Sequence, residues 1–411
     1  MNKLRLLTLV FISALTLSVA ATNGYYFIGF GTLSKGMGGT GVAYYKTSLI
    51  GNNPAGRVHL GKQFNVSGTL LFPTTSYNVI GNPSGIDGTL PLAPGKVESD
   101  IKLLFIPNLG ANWQLNEKSA FGVSVYGNGL SCEYPTQTYW DPSSETTDIT
   151  YYQIYIDPSY SYKINEKHSI GFSAMILSQM FEINGMNTFA ALSSSPENVS
   201  GNGADLSFGI GAKIGYLGEL FDGFYLGATY QTRAYSSKLD KYEGLLAEQG
   251  SMDAPSTWTI GINYEISDKW RALFDVQQIN YSEVKSLSNK FLSQGALGAD
   301  NGPGFGWEDM TVFKFGTEYQ VNEGLALRAG YAFGEEPVRE SEVFFNIMAP
   351  MVHNQHFTIG ATKGVGNNGN AINMALTYAP SNSMKAASPM DPAQQIELDL
   401  ELFELELSFT F

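Results

Sequence analysis

The side chains that could perform acid–base chemistry recur at alternate positions of segments with a strand-like pattern. The set is Glu265, Arg271, Asp275, Lys314, Glu318, Arg328, Glu404 and Glu406. Two nearby carboxylates could act as general acid and general base, but opposite charges along one polar wall are typical of a salt-bridge network. His353 and His356 could serve a hydrolase, yet no nucleophile motif accompanies them. The sequence has no metal-ligand spacing either, so we expect no enzyme, no cofactor and no metal.

Closely spaced glycines near the N-terminus indicate a site that binds or gates. Gly36, Gly38 and Gly39 lie close together, and Asn53-Pro54-Ala55 follows them. Glycine permits positive φ and close backbone approach, whereas Asn and Pro favour a turn. The glycines do not follow a strand, which argues against a phosphate-binding loop. The Asn-Pro-Ala motif either holds the shape of this segment or sets it against a wall and so shapes an exit route.

A third candidate site is a pair of long loops. Apolar residues in 238–248 recur near helical spacing, which predicts a short amphipathic helix. The loop at 184–203 would supply the other half of a hydrophobic surface groove, through Met186, Phe189 and Leu192. The cations that could meet a carboxylate headgroup there are Arg233, Lys238 and Lys241. The alternative is a solvated loop helix without a ligand.

The element that must position these residues is clearest at the C-terminus. Phe403 to Phe411 alternate apolar and polar side chains without exception. This period of two predicts a strand with one apolar face, and its length is close to the roughly 9–11 residues that a tilted strand needs to cross a bilayer. Upstream, the apolar positions change parity between Leu402 and Phe403, which predicts either a bulge or the membrane boundary there.

The same alternation returns along the chain and predicts an all-β fold, a transmembrane antiparallel β-barrel of about 14 strands. The strands are expected near 63–80, 100–114, 119–129, 149–163, 168–182, 204–217, 224–235, 256–266, 270–281, 309–320, 325–334, 353–364, 371–379 and 395–411. Short polar turns alternate with long loops, as in outer-membrane barrels. Residues 21–62 are too glycine-rich and irregular for strands, so we expect a hatch inside the lumen, followed by the barrel at 63–411.

Bulk properties agree with an exported membrane protein. Residues 1–20 have a basic start, an apolar core and small residues at the end, which predicts a secretory signal peptide. The chain is 43% hydrophobic but has no other long apolar run, which fits a barrel in the bacterial outer membrane. Its net charge of −14 makes nucleic acid an improbable partner.

Several motifs resemble one known family. They are Gly31 to Ala43, the Asn-Pro-Ala motif, Ile106 to Gly110, Tyr281 to Val284, Trp307 to Asp309, and Leu327 to Tyr331 followed by Glu336 to Val338. In order and spacing they resemble the outer-membrane transporters of long-chain fatty acids and aromatic hydrocarbons (the FadL type). The chain departs from many members at Tyr44 to Ser48, where acidic residues are usual, so any hatch salt bridge that needs those acids is in doubt.

The resemblance implies uptake of hydrophobic compounds, long-chain fatty acids or hydrocarbons, by energy-independent diffusion. The ligand would reach a pocket against the hatch and leave through a lateral wall opening. A kink in the third strand would open the wall at Gly127, Asn128 and Gly129. Phe411 resembles the terminal aromatic that the barrel assembly machinery reads. Besides the ligand and this machinery, the expected partners are membrane lipids and lipopolysaccharide, and we expect a monomer.

Two other functions fit a barrel. A water-filled porin with a small plug would conduct ions steadily, and its lumen would carry opposed rows of charge. A surface adhesin or structural barrel would suit the long loops, but it leaves the glycine-rich segment unexplained.

Overall fold

The computed structural model describes residues 23–49, 53–366 and 369–411. The expected signal peptide therefore lies outside the described residues. Within these residues, fourteen long strands form one closed antiparallel sheet, because the last strand pairs with the first. They are β1 (Gln63–Ile80), β2 (Leu104–Asn116), β3 (Ser119–Tyr134), β4 (Thr147–Lys163), β5 (His168–Asn184), β6 (Asp205–Phe221), β7 (Phe224–Gln231), β8 (Thr257–Ser267), β9 (Trp270–Ile279), β10 (Met310–Asn322), β11 (Leu325–Gly334), β12 (Gln355–Val365), β13 (Asn370–Ala387) and β14 (Gln395–Thr410). The predicted barrel is confirmed.

The remaining elements are short and lie in the N-terminal segment or the long loops. Two short strands, Gly95–Glu98 and Tyr235–Ser236, pair with β1 and β6. The helical turns are Thr32–Lys35, Pro54–His59, Asn187–Leu192, Pro196–Asn198, Asp240–Tyr242, Ala247–Gly250, Tyr281–Glu283, Lys285–Ser288, Glu340–Glu342 and Phe345–Ile347. Across the described residues, none of the helices is both long and apolar enough to cross a membrane.

The strands turn their apolar side chains outward and their polar side chains inward. In β5, Ile170 and Phe172 are about half exposed, while Ser169 and Ser173 are buried. The same inversion runs around the barrel, with Ile214, Ile260, Ile359 and Leu407 exposed. A soluble sheet would bury these side chains, whereas a barrel in lipid exposes them. Closure also pairs the last strand with the first, so neither end of the sheet is left open in a bilayer, which offers no water to unpaired backbone groups.

The parity change in the last strand is not a bulge of that strand. Its ladder with β1 continues without a shift from Asn65↔Thr410 to Ile80↔Gln395. The even-numbered side chains point inward along its whole length, first Leu398 and Leu400, then Glu404. What changes along the strand is the surroundings of these side chains. The part of the lumen nearer the long loops is apolar, and the part nearer the short turns is polar. The irregularity lies in the neighbouring strand β13, between Ala379 and Asn382.

Candidate functional site

The N-terminal segment, defined as residues 23–49 and 53–61, lies against the inward face of the strands. Met37, Ala43 and Ala55 are fully buried. Its helical turn Pro54–His59 contacts β4, β5 and β6, and Thr32–Lys35 contacts β12, β13 and β14. The segment therefore spans the lumen and contacts the inner face of the barrel at two opposite places.

A belt of wall glycines receives this segment. Each belongs to a different strand, and a Cβ added to any of them would meet or overlap an atom of the N-terminal segment; they are Gly110, Gly122, Gly171, Gly215, Gly227, Gly316, Gly330 and Gly360. The neighbours are largely backbone atoms, such as the carbonyl of Val42 and the amide of Gly38. Backbone packed on backbone cannot give way easily, so the belt fixes the height of the segment in the barrel.

The predicted glycine cluster is the other half of this contact. Gly38 has φ +68°, and a Cβ there would lie 2.7 Å from the carbonyl oxygen of Phe315 and from the amide of Tyr331. Its own amide donates to Thr358 at 2.8 Å. Gly36 packs against Gly360 of the wall. Gly39, with φ +78°, packs on the backbone of residues 28–29. Close approach, more than turn geometry alone, explains glycine at these positions.

The Asn-Pro-Ala motif attaches the second part of the segment to the wall. Asn53 Nδ2 donates to the carbonyls of Val42 at 2.6 Å and Tyr216 at 2.9 Å, while Oδ1 accepts from the Ala55 amide at 3.0 Å. Pro54 begins the helical turn. The Ala55 carbonyl accepts from two wall serines, Ser161 and Ser169. The motif thus joins two stretches of the segment to each other and to the barrel.

Buried charges complete the attachment. Lys35 Nζ lies 2.6 Å from Glu404 and 2.9 Å from Glu406, and all three side chains are almost completely buried. Burial lowers the pKa of Lys35, but the two carboxylates outweigh that effect and leave its pKa above the usual value. These ion pairs form without the acidic residues that are usual in the family, so hatch salt bridges do not depend on them here.

Arg57 forms a second buried attachment. Its guanidinium donates to Ser159 and Ser124 and to the carbonyls of Ser48 and Ala111. Burial lowers the pKa of Arg57 to about 10, which leaves it charged at neutral pH.

Substituting Lys35 by methionine should loosen the N-terminal segment without unfolding the barrel. Two buried carboxylates would lose their cation, and breaking a buried pair in this way costs about 3–5 kcal/mol. We expect faster protease cleavage within residues 23–49. The matched control is Lys102→Met, whose pair with Glu98 is exposed and 3.8 Å long and should contribute little. Equal cleavage rates in both variants would show that the Lys35 pairs do not anchor the segment.

The barrel wall has a gap beside the predicted kink. The β2–β3 ladder ends at Leu109↔Val125, whereas β2 continues along β1 to Leu71↔Leu104, and β3 continues along β4 to Tyr134↔Thr147. Residues 104–108 and 126–130 therefore face each other across the wall gap. The β3–β4 ladder has no register shift over this stretch, so β3 departs from β2 without a bulge.

The N-terminal segment covers the wall gap from inside. The Gly129 amide donates to the carbonyl of Tyr25 at 3.3 Å, and the Phe27 amide donates to Asn128 Oδ1 at 3.2 Å. The first of these bonds gives a partner to the Gly129 amide, which lies beyond the end of the β2–β3 ladder. The predicted residues Gly127, Asn128 and Gly129 thus do lie at the gap, but the aromatic run that closes it, Tyr25 to Phe27, was not recognised from the sequence.

An internal cavity of about 80 Å³ adjoins the gap. Its lining includes residues 24–28 of the N-terminal segment, and Leu104, Gly129 and Leu130 at the gap. Leu71, Leu400 and Leu402 supply apolar lining, and His353 and His356 supply polar lining. The volume is below the roughly 150 Å³ of an engineered cavity that holds benzene. A larger ligand therefore requires residues 24–28 to move.

Comparison with known proteins places this architecture. A sequence profile of the family described as "Outer membrane protein transport protein (OMPP1/FadL/TodX)" matches residues 18–400. The chain belongs to this family. Its members are transport proteins of the outer membrane, so the exposed apolar band of the barrel faces the lipid of that membrane, as the sequence predicts.

Individual relatives are more distant. Alkane uptake protein A of Marinobacter nauticus is 33% identical over 87 residues, which are 21% of this chain and only 19% of that protein. The P. putida toluene transporter TodX has a TM-score of 0.68 at 18% identity, covering 93% of this chain and 98% of its own. A Pseudomonas aeruginosa FadL homologue has a TM-score of 0.68 at 15% identity, covering 94% and 98%. Both structures share the fold of this family.

The outer loops differ from the sequence-based prediction. The stretch 238–248 is not one amphipathic helix, because it forms a short turn at Asp240–Tyr242 and a second at Ala247–Gly250 in which Glu248 has positive φ. Its apolar side chains pack inward with Met186 and Phe189, while Leu192 is exposed. The spacing resembles a helix because tertiary packing, not local propensity, selects these positions.

The three predicted headgroup cations do not converge. Arg233 is held by Asp253 at 2.8 Å, and Lys241 Nζ donates to the carbonyl of Ala204 at 2.8 Å. Lys238 donates to the carbonyl of Glu248. Arg233 is only partly exposed and is ion-paired, whereas Lys238 and Lys241 are exposed and are bonded only to backbone carbonyls.

Proposed function

We propose that this chain takes up hydrophobic compounds, long-chain fatty acids or hydrocarbons, by energy-independent diffusion, and releases them sideways into the membrane through the wall gap. The observation that carries this proposal is that Tyr25 and Phe27 both line the cavity and cover the gap. One displacement of these residues would enlarge the pocket and open the wall. The similarity to an alkane uptake protein and to a toluene transporter supports a hydrocarbon as the ligand.

The contacts divide the N-terminal segment into a fixed part and a movable part. Residues 31–49 and 53–61 meet the wall glycines, include the buried cations and carry Asn53. Residues 23–30 attach through aromatic contacts, such as those of Tyr25 with Tyr151 and Tyr281, and through single hydrogen bonds, such as that from Lys314 to the Ile28 carbonyl. We infer that residues 21–62 are the hatch and residues 63–411 the barrel, and that gating is confined to residues 23–30.

A lateral exit lets a hydrophobic ligand avoid two polar barriers. The polar lipopolysaccharide layer obstructs direct entry of such molecules into the membrane, and the aqueous periplasm dissolves them poorly. A route from the lumen through the wall at residues 104–108 and 126–130 avoids both. The protein acts as a monomer in this scheme, since the pocket, the gate and the gap belong to one chain.

We also propose that Phe411 is an assembly signal. Its backbone pairs with Phe64 through two hydrogen bonds, and its ring is half exposed and stacks on the Phe64 ring. The closing strand thus ends on an aromatic that a membrane-side assembly factor can reach.

Substituting Asn53 by alanine tests the role of the hatch. The change removes three hydrogen bonds, each worth about 1 kcal/mol, while the strand ladders stay intact. We expect slower uptake of a labelled long-chain fatty acid and a labelled alkane, with unchanged heat-modifiability of the barrel. The control is Asn116→Ala, in an exposed turn. Unchanged uptake by Asn53→Ala would remove Asn53 from the site, and large steady conductance of the native protein would favour a porin instead.

A further inference from the structure

Three buried polar side chains in the cavity have unused hydrogen-bonding atoms. Among the described residues, Nδ1 of His356 and Oγ1 of Thr377 have no hydrogen-bond partner, and the imidazole of His353 has none beyond the Leu400 backbone. All three residues are 1% exposed or less, and all three line the cavity. A buried polar atom without a partner costs about 1–3 kcal/mol. Three such side chains around one cavity indicate a site in which a bound ligand supplies the missing hydrogen bonds.

The electrostatics of the cavity favour an uncharged ligand group. Burial lowers the pKa of His353 to about 3, so its imidazole is neutral at pH 7 and offers one donor and one acceptor. Glu404, on the same wall, shares Lys35 with Glu406, which leaves one negative charge in excess. The Lys314 cation, which acts on His356, is itself acted on by the Asp275 carboxylate. A carboxylate would meet this excess charge, whereas a hydroxyl would not.

We propose that His353, His356 and Thr377 bind the uncharged oxygen-bearing end of an elongated hydrophobic ligand, such as a primary alcohol. The chain of the ligand then lies along Leu71, Leu400 and Leu402 towards the wall gap. This inference rests on the proposed function, because it takes the cavity as the transport pocket. A hydroxyl both donates and accepts, so it matches neutral imidazoles and a threonine hydroxyl better than a saturated hydrocarbon does.

Equilibrium dialysis of the protein in lipid nanodiscs can test this with decane, 1-decanol and decanoate, with binding to empty nanodiscs subtracted. We expect 1-decanol to bind about tenfold more tightly than decane, the ratio that one net hydrogen bond supplies, and more tightly than decanoate. His353→Leu should reduce the preference for the alcohol to near parity while keeping decane affinity. His353→Gln, which retains an amide donor and acceptor, should keep most of the preference.

The outcomes separate this inference from the proposed function. Equal binding of decane and decanol by the native protein, or equal loss of both in His353→Leu, would overturn the alcohol site and leave the hydrophobic pocket standing. Tightest binding of decanoate would also overturn it. Binding of none of the three would overturn the pocket itself, and the alcohol site with it.

Discussion

Replacing Gly38 with alanine should displace the hatch, produce a steady ion conductance and reduce uptake of hydrophobic compounds. The added Cβ would lie 2.7 Å from backbone atoms of Phe315 and Tyr331, which belong to adjacent wall strands. Strand backbone cannot move aside without breaking its ladder, so the hatch must shift. The Gly38 amide would then also lose Thr358.

Gly61 supplies a matched control. It has φ +67°, almost the same as Gly38, but among the described residues nothing lies within 4 Å of its added Cβ. Alanine in the left-handed region costs about 1–2 kcal/mol in either variant. Any difference between Gly38→Ala and Gly61→Ala therefore reports the wall contact alone. Planar-bilayer recording measures the ion conductance of both variants. If Gly38→Ala conducts no more than Gly61→Ala and its uptake is normal, the belt does not hold the hatch in position.

Closing the wall gap with a disulfide should stop uptake almost completely. A Cβ at Gly127 would lie 3.1 Å from Cγ2 of Ile106 on the opposite side of the gap. The Cβ of residue 106 is one bond from this atom, so cysteines at the two positions can reach the Cβ–Cβ separation of roughly 3.5–4.5 Å that a disulfide requires. The native Cys132 is the chain's single cysteine, and it is buried and bonded to the Met348 carbonyl, so it should not compete.

The sequence predicted the barrel well because lipid imposes a strict rule. Every strand must turn apolar side chains outward, so a period of two survives along the chain. The bounds of β1 and β11 match the prediction to the residue. The same rule explains why the sequence left two alternatives open at Leu402, a bulge or the membrane boundary, since alternation reports which side is apolar and not which side faces in. Above the membrane boundary the lumen becomes the apolar side, and the parity reverses without a bulge.

The site was only half visible in the sequence. The hatch glycines form a recognisable cluster, but the wall glycines that contact the hatch are scattered over eight strands. A single glycine in a strand looks the same whether it marks a kink or a close approach. Lys35 likewise gave no signal, because Glu404 and Glu406 lie at the other end of the chain. Contacts of this kind depend on where the barrel closes, which alternation does not specify.

The most direct test of lateral release is uptake by Ile106→Cys/Gly127→Cys before and after reduction. We expect background uptake in the oxidised protein and recovery in the reduced one. The control pair Leu109→Cys/Val125→Cys, cross-strand partners where the wall is already closed, should transport equally in both states. Normal uptake by the oxidised Ile106–Gly127 pair, with the disulfide verified by mass spectrometry, would contradict an exit through the wall.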